Sequence, residues 1–278
     1  MASLYAVDAS ADDRIASSKS KIYSTDRKLT LEAVSALEQI AKQDVARSSD
    51  AEAILSAYRR QCQAYLASVG NDEEIEKDSL ELRIKTPKPI AVADMRHAFF
   101  LREPIWLGVN SANFTDDHLA VIAQIPSITM IDIESAPVTG SALKHFGSRL
   151  ISLRLRKCAI DELLLTQSQL ENLKLLDISV TKVKNSFMKM ANLPKLEELC
   201  IDGTEIDADG LRNLSRFKAM KWLRVDFSQV SAEGLKKIVE DNTALRRVTV
   251  CCASDELMAA APLKVVPRSG CEIRLISP

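Results

Sequence analysis

The chain has 278 residues, 46% of them hydrophobic and 27% charged, with a formal net charge of −1. This is ordinary for a soluble globular protein, and the length allows one large domain, two small ones or a single elongated unit. The near-zero charge gives no general attraction to nucleic acid or to a membrane surface, and no apolar run approaches the roughly eighteen residues of a membrane helix.

The start, MASLYAVDASADDR, has neither a basic n-region nor an apolar h-region, so no signal peptide is read and a cytoplasmic location is expected. Residues 1–27 are polar and rich in Ser, Ala and Asp, and are expected to form a flexible or weakly helical tail. A helix is predicted from about Leu31 to Val45, with Val34, Leu37, Ile40 and Ala41 on one face. Ser49 with Glu52 three residues later has the form of a capping box and predicts a second helix running to about Ser68. Its apolar side carries Ile54, Leu55, Tyr58, Cys62, Tyr65 and Leu66, and Gly70, Asn71 and Asp72 end it. Residues 28–78 thus read as an antiparallel helical hairpin.

Leu82 and Ile84 suggest a first strand, broken by Pro87 and Pro89, which donate no ladder hydrogen bond. A clear frame follows. The stretches LKLLDISVTKVKNSFM, LEELCIDGTEIDADGL and MKWLRVDFSQVSAEGL align on their first residues, Leu173, Leu196 and Met220. Apolar residues recur three positions on (Leu176, Leu199, Leu223), five on (Ile178, Ile201, Val225), ten on (Val183, Ile206, Val230) and fifteen on (Met188, Leu211, Leu235). Frames begin at Pro104, Ile128, Leu150, Leu173, Leu196, Met220 and Leu245, and subtraction gives periods of 24, 22, 23, 23, 24 and 25. A partial frame near Gly270 adds Ile273 and Leu275, so seven strands are predicted with one or two more at the margins. Offsets three and five have strand alternation, whereas Leu211 with Leu214 and Leu235 with Ile238 have helical spacing. One strand and one short helix cannot bury their shared apolar face alone, but stacked copies can.

The spacing L-x-x-L-x-L-x-x-x-x-[IV] resembles the leucine-rich repeat, and the ending G-T-x-I-x-x-x-G-L resembles its bacterial-style variety. The resemblance runs from Ser79 or Pro104 to the C-terminus and implies an α/β solenoid over residues 79–278. It implies a parallel β-sheet on the concave side, short helices on the convex side and an N-terminal α-helical cap. Most members carry Asn or Cys at the ninth position of the repeat; here that column reads Ala112, Ala136, Cys158, Thr181, Thr204, Ser228 and Ala253.

With offsets three and five pointing inward, offsets two, four and six face the open side. The lane at offset two holds Trp106, Met130, Ser152, Leu175, Glu198, Trp222 and Arg247, including both tryptophans of the chain. The middle lane holds Asp132, Arg154, Asp177 and Arg224, and the outer lane Glu134 and Arg156. Asp132, Arg154 and Asp177 are expected to form a lateral charge ladder, which by itself is a weakly stabilising feature of a solvated sheet. Trp, Met, Leu and Arg on an open face are the residue types of interaction hot spots. The alternative is that residues 1–27 or 86–103 fold over them.

No phosphate loop, dinucleotide fingerprint or nucleophile elbow is present. His97, His118 and His145 lie in different repeats without metal-ligand spacing, and the six cysteines show no C-x-x-C motif. No enzyme activity, metal or cofactor is therefore expected. A basic group around Arg212, Arg216, Lys218, Lys221, Arg224, Lys236, Lys237, Arg246 and Arg247 could take phosphate or an acidic protein, but with few aromatic neighbours and a near-zero net charge it does not favour a nucleic-acid site. The sequence supports a non-enzymatic scaffold that binds a protein partner on the concave sheet. Two rival functions stand beside it, an adaptor whose N-terminal helices recruit an enzyme complex, for example of ubiquitin-ligase type, and a catalytic thiol protein using Cys251 or Cys252; a homodimer through the last strand, Ile273–Ser277, is a further possibility.

Overall fold

The computed structural model describes residues 10–71, 78–252 and 270–276. Three helices come first: α1 (Ala11–Lys21), α2 (Arg27–Gln43) and α3 (Ser48–Ser68). Helix α1 lies in the segment expected to be a tail. Ser10 caps it, its Oγ accepting the Asp13 N–H at 3.2 Å, and Ile22 just beyond it is fully buried. The Ser49–Glu52 capping box is not formed. The helix already starts at Ser48, so Ser49 is helical and cannot act as the cap. The turn is closed instead by Asp44, which accepts the Arg47 N–H at 3.1 Å, and by the Ser48 hydroxyl, which donates to the Ala41 carbonyl at 2.9 Å.

Among the described residues nine strands then form one parallel sheet in chain order. They are β1 (Glu81–Ile84), β2 (Trp106–Asn110), β3 (Met130–Glu134), β4 (Ser152–Arg156) and β5 (Leu175–Asp177). The series continues with β6 (Glu198–Cys200), β7 (Trp222–Asp226), β8 (Arg247–Cys251) and β9 (Glu272–Ile276). Register keeps equal offsets opposite one another, so Leu107, Ile131, Leu153, Leu176, Leu199, Leu223 and Val248 form one inward row. Each is at most 1% exposed, and full burial of such a side chain is worth about 1.5–3 kcal/mol.

The convex side carries α4 (Asp116–Ile122), α5 (Glu162–Gln167), α6 (Asn185–Met190), α7 (Ala208–Leu211) and α8 (Ala232–Asp241). The first turns of these helices are tied to the next repeat. Asp116 accepts from Thr139 N and Gly140 N at 2.8 and 3.2 Å, and Glu162 from Lys184 N at 2.8 Å. Asn185 donates to Asp207 at 2.7 Å and accepts its N–H at 3.0 Å. A Cβ on Gly210 would sit 2.1 Å from Asn185 Oδ1, so the glycine of the G-L ending makes room for this tie.

The ninth-position column forms no asparagine ladder. Thr181 and Thr204 donate to their own repeat's carbonyls, Ile178 and Ile201, at 2.7 and 2.6 Å. Ala253 lies outside the described residues. The ladder's role near the C-terminal end falls to buried Gln229. Its Nε2 donates to the Ile201 and Ile206 carbonyls at 3.1 and 2.8 Å, and its Oε1 accepts Asp226 N at 2.7 Å.

The helical hairpin closes the first edge of the sheet. Arg83 N donates to Asn71 Oδ1 at 2.9 Å, while Asn71 Nδ2 donates to the carbonyls of Arg83 and Leu66 at 2.7 and 2.9 Å. One side-chain amide thus stands in for the missing neighbour strand and ties it to the end of α3. Gln124 bridges Arg27 N and the Thr25 carbonyl, at 2.8 and 3.0 Å. Leu66 belongs to the solenoid core, and Phe100 packs against both that core and the smaller one inside the hairpin.

Candidate interaction surface on the concave sheet

Register brings Trp106, Met130, Ser152, Leu175, Glu198, Trp222 and Arg247 into one lane of the open face, as the frame requires. The helical turn at Val92–Phe100 packs against α2, α3 and α4, and α1 packs on α2. Neither of these segments covers the lane, residues 1–9 lie outside the described residues, and both tryptophans are half-buried. The Trp106 ring lies flat over Gly108, where an added Cβ would meet it at 2.3 Å, and the Arg83 guanidinium sits 5.9 Å from the ring centre. Trp222 leans towards β8, its Nε1 donating to Thr249 Oγ1 at 3.1 Å.

The lane is not uniform. Trp106, Met130 and Leu175 occupy its first half, with buried Ser152 between the last two. Trp222 stands between Glu198 and Arg247, five strands beyond Trp106, a separation of roughly 24 Å at ~4.8 Å per strand. Sequence reasoning missed three members of the apolar group. Leu80, Ile105 and Ile151, at offset one, are 56%, 37% and 43% exposed. Alternation assigns offset one to the inside with offsets three and five, but most strands begin at offset two, so these side chains emerge at the rim. A notch of about 280 Å³ opens among Leu80, Glu81, Ile105, Trp106 and Met130.

The expected charge ladder is rearranged. Asp132 pairs diagonally with Arg156 at 3.1 Å, and Arg154 approaches it only to 4.0 Å. Asp177 does not join: it is buried and turns to Ser179, accepting its N–H at 3.0 Å and its hydroxyl at 2.5 Å. The short local contacts satisfy the carboxylate better than a reach across strands would. Glu134 pairs with Lys157 at 2.9 Å and Arg156 at 3.5 Å, and the Lys157 hydrogen bond holds its carboxyl below the usual range.

Towards the C-terminal end the polar groups are more deeply set. Arg224 Nε lies 3.1 Å from Asp202 and 3.3 Å from Cys251 Sγ. Burial pushes the Asp202 carboxyl up, and among the described residues its Oδ1 accepts no hydrogen bond. Burial also raises the Cys200 and Cys251 thiols, which disfavours thiolate chemistry there. Arg247 pairs with Glu272 at 3.4 Å.

The basic group is largely spoken for: Arg212 pairs with Asp209 at 3.2 Å, Lys221 with Glu197 at 2.6 Å and Lys237 with Asp241 at 3.7 Å. Arg216 donates to the Met188 carbonyl at 3.3 Å. His118 is buried: its Nε2 and the Ile90 carbonyl lie 2.9 Å apart, and it stacks on Phe114. His97 is also buried, its Nδ1 2.8 Å from the Asp94 carbonyl. Among the described residues no group of three metal-ligating side chains converges, and no helix is long and apolar enough to cross a membrane.

Internalin C2 of Listeria monocytogenes, known from a crystal structure, matches the backbone with a TM-score of 0.50 at 15% identity, covering 79% of this chain and 92% of that one. The fold is a leucine-rich-repeat solenoid. No protein-family model matches the chain, and no curated protein matches its sequence. The likeness therefore rests on the stacked repeat geometry described above.

Proposed function

We propose that this chain is a non-enzymatic scaffold that binds a protein partner on the open face of its sheet. The observation that carries this is the in-register group of half-exposed apolar side chains, Trp106, Met130 and Leu175, on a face that the described neighbouring segments leave uncovered. Aromatic and aliphatic side chains set among charged neighbours are what binding hot spots consist of. Arg154, Arg156, Arg224 and Arg247, with Asp132 beside them, supply the polar surround, while Asp177 is buried and turned to Ser179.

The N-terminal hairpin is assigned the role of a cap. Its Asn71 contacts and shared core favour this over an adaptor arm, which would need few contacts with the repeats. Capture from native lysate tests the scaffold role. The wild type should retain a specific protein that a folded Trp106→Ala, Trp222→Ala double variant releases, with circular dichroism confirming both folds. Identical retention by both would refute it.

A further inference from the structure

Exposed and half-buried apolar side chains of the first five strands form a strip, with Thr129 at the rim and buried Ser152 in the lane as its polar gaps. Trp106, Met130 and Leu175 line its concave edge, and Leu80, Ile105 and Ile151 its rim. We propose that this strip seats an acidic amphipathic helix of the protein partner, a proposal that rests on the concave-face reading above.

Three features of the strip select that occupant. The first is spacing. Apolar side chains recur once per strand, roughly every 4.8 Å across the sheet. A helix offers one apolar position per turn, about every 5.4 Å, whereas a strand offers one only about every 6.6 Å. From β1 to β5 the strip is roughly 19 Å long, the length of about thirteen helical residues. The second is the notch of about 280 Å³ bounded by Leu80, Glu81, Ile105, Trp106 and Met130, a place for one large anchoring side chain, with the Glu81 carboxylate balanced by its pairing with Arg83.

The third is charge. Arg154 borders the strip on its concave side and reaches a carboxylate only at 4.0 Å, because Asp132 is held more closely by Arg156. Lys174 borders it at the rim and reaches Glu197 only at 3.9 Å, because Glu197 is held at 2.6 Å by Lys221. Among the described residues these two cations have only these long ion pairs, and they flank the far end of the strip. Carboxylates on the two sides of a helix would meet them, and lysines there would be repelled.

The test is a displayed-peptide selection on the immobilised full chain, followed by binding of the enriched peptides to variants. Enriched peptides should place apolar residues at i, i+3 or i+4, and i+7, with Asp or Glu beside them. Ile105→Asp should weaken them at least about tenfold, and Arg154→Glu should weaken acidic peptides while improving charge-reversed ones. In a Trp222→Phe background, where Trp106 is the remaining tryptophan, its emission should shift to the blue on binding. Absence of enrichment, enrichment of basic or proline-broken sequences, or indifference to Ile105→Asp would each overturn the proposal. If the peptides instead depend on Trp222 and Arg224, this proposal fails while the concave-face function stands.

Discussion

The first and second halves of the concave sheet share one inner surface and differ in their outer one. Facing in, Ile131 on β3 and Leu223 on β7 are equally buried. Facing out, the rim column passes from Leu80, Ile105 and Ile151 to Lys174, Glu197 and Lys221, while the adjoining lane passes from Trp106, Met130 and Leu175 to Trp222 flanked by Glu198 and Arg247. The inner columns are constrained by stacking, since each residue must fill the same space against the repeat above and below. The outer columns carry no such constraint, so a change of character along them is where a binding preference can be written.

The largest effects should therefore be blind to the division. Ile131→Ala and Leu223→Ala each empty an equivalent inward site, and each should cost about 2–5 kcal/mol in urea unfolding. A loss confined to one half would mean that the two halves do not unfold as one unit. Asn71→Ala should come next. It leaves the Arg83 N–H and carbonyl at the sheet edge without their partner, which is expected to cost about 1–3 kcal/mol. Amide exchange should speed up first at β1 and last at β7 if the hairpin acts as a cap.

A smaller effect should appear at the border between the halves. In four successive repeats the residue leaving the strand is left-handed: Ser135, Lys157, Val180 and Gly203, with φ of 57°, 54°, 55° and 69°. Only the last is a glycine. Val180 is β-branched and 52% exposed, so Val180→Gly relieves strain and loses little burial. The variant should gain about 0.5 kcal/mol once the entropy cost of glycine is offset. Gly203→Ala should lose stability, because its Cβ would also meet the Val180 backbone at 3.0 Å.

How far the sequence reached depended on which surface was being read. Inner columns were legible because burial repeats with the period: Leu107 to Val248 fell in register from spacing alone. Outer lanes were legible in membership but not in geometry. That Trp106 would lie down on Gly108 follows from a missing Cβ two residues away, a signal visible only once the strand is known. Asp177 failed as a ladder member because Ser179, two residues on, offered it nearer donors. Leu80, Ile105 and Ile151 were hidden by alternation applied one residue too early. The capping box failed for a similar reason: Ser48 starts the helix one residue before the motif allows.

The smallest effect concerns the two carboxylates that anchor the charge rows of the two halves. Glu134 is held below the usual range chiefly by the Lys157 hydrogen bond, and Glu197 chiefly by that of Lys221. A carboxyl whose folded-state pKa is depressed adds stability above its unfolded value, about 4.3, and that stability is lost as pH falls through the lower folded value. Glu134→Gln should thus leave stability at pH 3 nearly unchanged and reduce it at pH 7 by less than about 1 kcal/mol, since the pair is partly solvated. Glu197→Gln should act in the same direction, and salt should erase its effect first, because both its partners, Lys174 and Lys221, are well exposed, whereas Glu134 also has the less exposed Arg156. Equal salt sensitivity in acid titrations of the two variants would show that the first row is as solvated as the second. Arg154 would then be screened too, and the contrast between the halves would rest on their apolar residues alone.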